Sequence, residues 1–238
     1  MLAPTLLFER SGVLALAKPA GLATQAPPGI PSVEAWVRRL LYGAAAAGYV
    51  GVPHRLDRAV SGVLLMTATP RAARKLSRQF ERREVAKAYR ALVEPRGTEW
   101  HATEPVEWRD HVEKVADEAR ARIAPADAPH AREALTRARL LARLTGPTAG
   151  CRLLLGLEPH TGRMHQLRLQ AAVRGLPIVG DRLYDPAADQ QWCGPAAADD
   201  REPPIALHAE RIRYHDPDTG GEVVAEAPVP GSWPAETG

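Results

Sequence analysis

The spacing of apolar residues along the chain predicts short strands with a few helices between them. Apolar runs at 6–8 and 13–16 flank Ser11-Gly12, which is typical of a β-hairpin. Further strand-like runs cover residues 63–68, 85–93, 134–144, 151–157, 205–214 and 222–227. Helical spacing and helix-terminal signals predict helices from residue 33 to about 41, over 70–83 and over 163–174. Because strands and helices do not alternate regularly, we predict an α+β fold with a mixed, largely antiparallel central sheet flanked by helices.

Helix-terminal residues support these helix predictions. Ser32 and Thr69 are suited to N-caps, and Pro70 suits the first helical position after Thr69. Gly175 is placed to end the helix over 163–174, whose buried side should contain Met164, Leu167 and Ala171.

Four regions are harder to interpret from the pattern. The run 132–144 suits a strand, but its Ala, Leu and Arg content also permits a helix. Within the weakly patterned stretch 97–129, Trp100 and Trp108 suggest local packing, and the charged residues 113–122 suggest an exposed helix or a mobile insertion. Residues 187–204 indicate a loop, and we expect the tail from about residue 228 to be frayed.

Length and composition indicate an ordinary globular protein. The chain has 238 residues, 45% of them apolar, and a net charge of +3 that permits a nucleic-acid partner without requiring one. No linker is convincing, so we expect one domain over residues 1–238. Cys151 and Cys193 lack metal-ligand spacing and indicate free thiols, with a single disulfide as the alternative. No apolar run suits a membrane span or a signal peptide, which predicts a cytoplasmic protein.

The most informative stretch is His54-Arg55-Leu56-Asp57-Arg58-Ala59-Val60-Ser61-Gly62, directly before a predicted strand. It places one acid between two arginines and predicts a loop at the mouth of the sheet, where catalytic groups are common. Arg55 and Arg58 would favour the ionised form of Asp57, and an ionised carboxylate can act as a nucleophile. The alternative is a surface acid in a salt bridge, since ion pairs also perturb acids.

Two other enzyme classes fit the residues poorly. A metal site would need a His, Cys and Asp cluster at ligand spacing, and His160 and His165 are five positions apart, which matches no zinc pattern. A glycosidase would need two carboxylates flanking the bond, and the neighbours of Asp57 are arginines.

Two separated motifs resemble the RluA-type RNA pseudouridine synthases. His54-Arg55-Leu56-Asp57 followed by Ser61-Gly62 resembles their active-site motif, except that Val60 stands where the family usually has threonine. Residues 161–168 (TGRMHQLR) and 175–181 (GLPIVGD) match a second motif in the expected order. The resemblance extends to residues 18–21 (KPAG) and 207–209 (LHA), and therefore covers almost the whole chain apart from a loose match at 97–150.

The resemblance implies an enzyme that isomerises uridine in RNA, in rRNA or tRNA, without a cofactor or a metal ion. It implies Asp57 as the catalytic carboxylate, Tyr89 of the Lys87-x-Tyr89 pattern against the target base, and Arg163 as the partner of Asp57, with Arg168 as the next candidate. From the residues alone, Tyr89 is more simply a half-buried sheet residue, since tyrosine is enriched in strands. The fold implied is one pseudouridine-synthase domain without the small RNA-binding domain that precedes it in some relatives.

The expected partner is a structured RNA stem-loop. The helix over 70–83 is strongly basic, which predicts a phosphate-contact surface, although a solvated helix face would look the same. We predict RNA contacts from Arg55, Arg58, Arg71, Arg74, Arg78, Lys87 and Arg168. We expect no membrane and no obligate protein partner, and therefore a monomer.

Val60 leaves one alternative function open. Valine has nearly the shape of threonine but lacks the hydroxyl, so one hydrogen bond of roughly 1 kcal/mol is in doubt. The alternative is therefore a catalytically weakened RNA-binding module on the same fold.

Overall fold

The structure is a computed structural model that describes residues 2–45, 47–102, 104–146, 150–187, 203–231 and 233. Its regular elements in chain order are β1 (Thr5–Arg10), β2 (Val13–Lys18), α1 (Val33–Tyr42), β3 (Ser61–Thr67), α2 (Pro70–Glu81), β4 (Ala86–Val93), β5 (Val106–Lys114), β6 (Ala121–Ile123), β7 (Arg132–Gly146), β8 (Gly150–Pro159), α3 (Gln166–Ala172), β9 (Leu207–His215) and β10 (Glu222–Glu226). A 3₁₀ turn, Gly43–Ala45, follows α1.

The chain divides into two compact units. Unit 1 consists of residues 1–87, 194–204 and 208–230, and unit 2 of residues 88–193, 205–207 and 231–238. The boundaries fall within β4 and β9. Among the described residues, no helix has the length and apolar character needed to cross a membrane.

Unit 1 is organised around β3. All seven residues of this strand are buried, which explains its continuous apolar run. The strand order is β1-β2-β3-β9, and β10 pairs with β9. β1–β2, β2–β3 and β9–β10 are antiparallel, whereas β3 and β9 are parallel through Ser61–His208 and Gly62–Ala209.

The helices of unit 1 begin where their caps predict. The Ser32 side chain accepts a hydrogen bond from the Ala35 N–H, and the Thr69 side chain accepts one from the Ala72 N–H. α2 buries Ala72 and Leu76 in a core shared with β2, β3, β9 and β10, which leaves its basic residues on the outer side.

Unit 2 is an antiparallel sheet in the order β4-β8-β7-β5-β6. Leu169 of α3 packs with Val112, Ala121 and Ala134 on one side of this sheet. Trp100 and Trp108 do contact each other, with ring centroids 6.3 Å apart. The α+β class and the mixed, largely antiparallel sheet are confirmed.

The exposed helix suggested for residues 113–122 was wrong. These residues form no helix, because β5 and β6 pair as an antiparallel hairpin across a turn in which Asp117 has φ 57°. Glu113 lies directly opposite Arg122, and their side chains form an ion pair of 2.6 Å. Two of the charges that suggested a solvated helix are therefore partners across two strands.

The helix predicted over 163–174 is shorter than expected. α3 begins only at Gln166, because His165 has left-handed backbone angles with φ 51°. The ambiguous run from residue 132 is strand β7, since pairing with β5 and β8 overrides its helical composition. Residues 188–202 of the loop predicted at 187–204, both cysteine side chains and most of the tail lie outside the described residues.

Candidate active site

Asp57 lies where the sequence predicted, on the loop that leads into β3. The Val60 N–H donates to the Asp57 carbonyl oxygen at 3.1 Å, which closes a tight turn before Ser61 begins the strand. The Asp57 side chain is half-buried. The carboxylate therefore stands on a short turn fixed to the most buried strand of unit 1.

The main chain on both sides of Asp57 is held by the segment that follows β2. On the N-terminal side, the Thr24 hydroxyl donates to the Leu56 carbonyl at 2.8 Å and accepts from the Leu56 N–H at 3.2 Å. On the C-terminal side, the Arg58 carbonyl accepts from the Gly21 N–H at 2.8 Å and from the Lys18 ammonium at 3.2 Å. The Lys18-Pro19-Ala20-Gly21 motif thus has a structural task beside the Asp57 loop.

The Ser61-Gly62 pair joins the loop to β9. The Ser61 hydroxyl and His208 Nδ1 lie 2.8 Å apart in the buried interior, and His208 Nε2 lies 3.1 Å from the Ala227 carbonyl. A Cβ atom on Gly62 would stand 2.2 Å from the Ala209 carbonyl oxygen, and Gly62 has φ 117°. Only glycine suits this close approach, which explains the Ser-Gly of the motif.

His54 has a structural role and adds no positive charge beside Asp57. Its Nε2 accepts a hydrogen bond from the Leu65 N–H at 2.9 Å, and its ring stacks on Phe80 at 4.6 Å between centroids. Burial, and secondarily the nearby charge of Lys87, lowers the pKa of His54 to about 3. The imidazole is therefore neutral at physiological pH.

Arg55, Arg58 and Lys87 have three different environments in unit 1. Arg55 is exposed, whereas Arg58 is half-buried and donates from Nε to the Gly21 carbonyl at 3.0 Å. Arg58 therefore contributes to the structure of the loop. Lys87 is half-buried on β4, and burial lowers its pKa. Among the described residues, no hydrogen bond or ion pair of its ammonium is found.

Tyr89 and Arg163 belong to unit 2, whereas Asp57 belongs to unit 1. Tyr89 is half-buried on β4 opposite Leu157 of β8, as either stacking on a base or packing in a sheet would require. The side chain of Arg163 is tied to β7 by a hydrogen bond of 2.9 Å from Nε to the Glu133 carbonyl. The pairing of Arg163 with Asp57 stays a prediction.

The Arg163 loop is fastened by Gln166. The amide oxygen of Gln166 accepts from the Arg163 N–H at 3.0 Å and from the Thr161 hydroxyl at 2.7 Å. Its amide nitrogen donates to the Leu135 carbonyl at 3.1 Å and to the Thr136 hydroxyl at 2.9 Å, both on β7. This one side chain therefore attaches the loop to the sheet. Gln166 is 4% exposed, so its hydrogen bonds are shielded from water.

The prediction that Arg168 contacts RNA needs correction. Arg168 is 2% exposed, and its Nε and Nη2 donate to the two carboxylate oxygens of Asp181 at 2.7 and 2.8 Å. The helix turns this guanidinium inward, because residues 166–171 of α3 are all buried. A side chain in this position offers no surface to a phosphate.

The basic face of α2 is only partly available to a ligand. Arg71 pairs with Asp218 at 3.1 Å, and the Lys75 ammonium donates to the Pro217 carbonyl. Arg74 and Arg78 are exposed and, within the described chain, have no carboxylate partner. These two arginines are therefore the best phosphate contacts on the helix.

Sequence reasoning missed Thr24 and Gln166. Thr24 lies three positions after the motif at 18–21, and Gln166 lies inside the motif at 161–168, but neither was given a role of its own. In the described part of the chain, no three His, Cys, Asp or Glu side chains are grouped as they would be around a metal ion.

Several known proteins with similar sequences are named as pseudouridine synthases. The ribosomal large subunit pseudouridine synthase D of Xanthomonas campestris is 34% identical, over 94% of this chain and 65% of that protein. The tRNA pseudouridine synthase C of Salmonella typhimurium is 36% identical, over 78% and 70%. The dual-specificity RNA pseudouridine synthase RluA of Pasteurella multocida is 33% identical, over 72% and 70%.

A solved structure and a family model complete the comparison. The human RNA pseudouridylate synthase domain containing 1 has the same fold, with a TM-score of 0.69 at 24% identity over 95% of this chain and 84% of that one. The model of the RNA pseudouridylate synthase family matches residues 12–173. The chain therefore belongs to the RluA-type branch of the RNA pseudouridylate synthase family, whose members are isomerases.

Proposed function

We propose that this protein converts specific uridines in rRNA or tRNA to pseudouridine, with Asp57 as the catalytic carboxylate. The observation that carries the proposal is the fixed main chain on both sides of Asp57, held by Thr24, Gly21 and Lys18. A reacting carboxylate must be held close to its target, because small displacements cost large factors in rate. The family membership supplies the reaction.

The proposed reaction conserves all atoms of the nucleoside. The bond between N1 of uracil and C1′ of ribose breaks with assistance from Asp57, and the base rotates within the site. A bond then forms between C5 and C1′, while C5 loses a proton and N1 gains one. No oxidant, reductant or second substrate is consumed, so the reaction needs none.

The other residues support this chemistry as partners of substrate or carboxylate. We assign the Tyr89 ring to the uracil face, because an aromatic ring can stack on a flipped base. We assign Arg163 to the Asp57 carboxylate, since its terminal guanidinium nitrogens have no partner within the described chain.

The RNA backbone contacts are assigned from exposure and charge. Exposed Arg55, Arg74 and Arg78 are available for phosphates. Lys87, whose ammonium is desolvated, suits an anionic group of the bound nucleotide. We propose a monomer that binds a structured stem-loop in the cytoplasm.

The environment of Val60 does not favour the alternative of a catalytically weakened RNA-binding module. The turn at Asp57 uses the main-chain N–H of Val60, which valine and threonine share, and the Val60 side chain is 2% exposed. The missing hydroxyl therefore leaves the turn intact.

Two experiments test the proposed function. The first maps pseudouridine in rRNA and tRNA of cells with and without this protein. The second compares purified wild type with Asp57→Asn, which keeps the size and removes the negative charge. We expect no pseudouridine from the variant under single-turnover conditions and unchanged RNA affinity. Wild-type turnover by Asp57→Asn would remove Asp57 from the mechanism, and no turnover by the wild type would favour the binding module.

Arg163 has a separate test. Arg163→Met should lower the rate of conversion strongly, and Arg163→Lys should restore only part of it, since an ammonium lacks the planar fork of guanidinium. Equal rates for wild type and Arg163→Met would show that another group stabilises the Asp57 carboxylate. Tyr89→Phe, which keeps the ring, tests whether the hydroxyl takes part in proton transfer.

A further inference from the structure

Thr24 provides the main chain before Asp57 with hydrogen bonds that no strand supplies. Residues 52–57 belong to no helix or strand, so Leu56 has no ladder partner. The Thr24 hydroxyl accepts from the Leu56 N–H at 3.2 Å and donates to the Leu56 carbonyl at 2.8 Å. Leu56 and Thr24 are 5% and 4% exposed, so water cannot easily replace the hydroxyl. One side chain thus satisfies both polar groups of the residue before Asp57.

Thr24 is itself held on a rigid support. Its carbonyl accepts from the Glu34 N–H at 3.0 Å, and the Ala23 carbonyl accepts from the Val33 N–H at 2.9 Å. Both donors belong to the first turn of α1, whose main-chain N–H groups have no partner within the helix. The position of the hydroxyl is therefore determined by α1, and the position of Leu56 by the hydroxyl.

We propose that Thr24 is a positioning residue for the Asp57 carboxylate, acting through the main chain of Leu56. The proposal rests on the function proposed above. Arg58, on the far side of Asp57, is held by the Gly21 N–H and by Lys18. Loss of the Thr24 hydroxyl frees one of the two sides, and the Asp57 carboxylate then samples positions in which it does not reach the ribose or the base.

Thr67 offers a matched control within the same unit. It is a threonine of β3 with 0% exposure, and its hydroxyl has no hydrogen-bond partner among the residues that the structure describes. Thr67→Val and Thr24→Val make the same chemical change in equally buried surroundings. Only Thr24→Val removes hydrogen bonds to the Asp57 loop.

The experiment measures single-turnover rate and RNA affinity for wild type, Thr24→Val, Thr24→Ser and Thr67→Val. We expect Thr24→Val to convert bound uridine about 10- to 100-fold more slowly, as a small misplacement of a reacting group does. RNA affinity should stay within about twofold, because Thr24 is buried. Thr24→Ser keeps the hydroxyl and should restore most of the rate, and Thr67→Val should behave as wild type. If Thr24→Val does not fold, the same comparison is made between Thr24→Ala and Thr24→Ser.

Amide hydrogen exchange gives a second readout that does not depend on activity. Exchange at Leu56 should be slow in wild type and Thr24→Ser and much faster in Thr24→Val. Unchanged exchange and rate in folded Thr24→Val would overturn the proposal, as would equal loss of rate in Thr67→Val. An inactive wild type with the expected exchange pattern would instead refute the proposed function and leave the attachment of Leu56 to Thr24 intact.

Discussion

The Asp57 loop of unit 1 and the Arg163 loop of unit 2 are fastened in different ways. The Asp57 loop depends on separate contacts, each of which ends at a main-chain group: Thr24 on Leu56, and Gly21 and Lys18 on Arg58. The Arg163 loop is held by the Arg163–Glu133 hydrogen bond and, above all, by the amide of Gln166, which belongs to a longer series of hydrogen-bonded side chains. Separate contacts fail one at a time, whereas linked contacts fail together.

The side chains behind the Arg163 loop form a series of hydrogen bonds in which each residue donates to the next. Gln166 donates to the Thr136 hydroxyl, and Thr136 donates to the Gln170 amide oxygen at 2.6 Å. Gln170 in turn donates to the Asp110 carboxylate at 2.7 Å, which also receives Arg174 at 2.9 Å. Thr136 and Gln170 are both 0% exposed. A side chain at position 166 that cannot donate a hydrogen bond therefore disturbs the hydrogen bonds of Thr136, Gln170 and Asp110 as well.

The largest effect is expected at the ion pair on α3 of unit 2. Arg168→Met should lower the free energy of unfolding by about 3–5 kcal/mol, because the Asp181 carboxylate would remain buried without this partner. Arg10→Met in unit 1 should cost much less, since Arg10 is 52% exposed and its partner Asp216 also accepts from Ser11, Asp218 and Thr219. Urea unfolding at neutral pH measures both. Equal losses would contradict the contrast between the two units.

Gln166→Glu should give the next largest effect and should depend on pH. A carboxylate in place of the amide nitrogen faces the Leu135 carbonyl without a proton to donate, at a cost of about 1–3 kcal/mol. Burial beside an acceptor raises the pKa of the new carboxyl above that of the unfolded chain. The loss should therefore be complete at neutral pH and disappear below about pH 4, where the carboxyl is protonated in both states.

Gln79→Glu is the control for that measurement. Gln79 of α2 is also buried, and it exchanges two hydrogen bonds with the main chain of His215, outside any longer chain. We expect a smaller loss of stability than at Gln166. A loss as large as that of Gln166→Glu would show that the linked chain adds nothing.

His54 gives unit 1 a pH dependence of its own. Its pKa is lowered from 6.5 to about 3, so the unfolded chain binds a proton at pH values where the folded one does not. The stabilising contribution is complete above about pH 6.5 and falls as the pH drops, by at most about 1.4 kcal/mol per pH unit. Urea unfolding of wild type and His54→Gln from pH 7.5 to 5 should show their difference shrinking toward acid. A constant difference would mean that His54 titrates normally.

The smallest effect is expected on the outer face of α2. Arg74→Gln/Arg78→Gln should reduce the slope of log affinity for RNA against log salt by about 1–2, since each phosphate contact contributes about 0.7–0.9. Arg71→Gln/Asp218→Asn removes an existing ion pair, keeps the net charge and should leave the slope unchanged. Equal slopes for all three proteins would identify the helix face as solvated only.

Some elements were evident from sequence because their signals are local. The helix predicted over 70–83 and observed at Pro70–Glu81 was evident from its Thr69 cap and Pro70, and the Asp57 loop from its place before an apolar strand. The β5–β6 hairpin was missed because its charged residues fit a strand only when Glu113 pairs with Arg122, nine positions away. The start of α3 was misjudged because His165 adopts a backbone conformation that its residue type does not require.

The sequence by itself determined most strands and helices outside 97–144, the family motifs and Asp57 as the candidate carboxylate, since each depends on neighbouring residues. Only the tertiary structure decided that Arg168 is buried against Asp181, that His54 is neutral, and that Arg74 and Arg78 rather than Arg71 are available on α2. The structural roles of Thr24 and Gln166 were likewise decided only by the tertiary structure. Thr24 bonds to Leu56, 32 positions away, and Gln166 bonds to Leu135 and Thr136, 31 and 30 positions away. These hydrogen bonds exist only once the fold has brought those segments together.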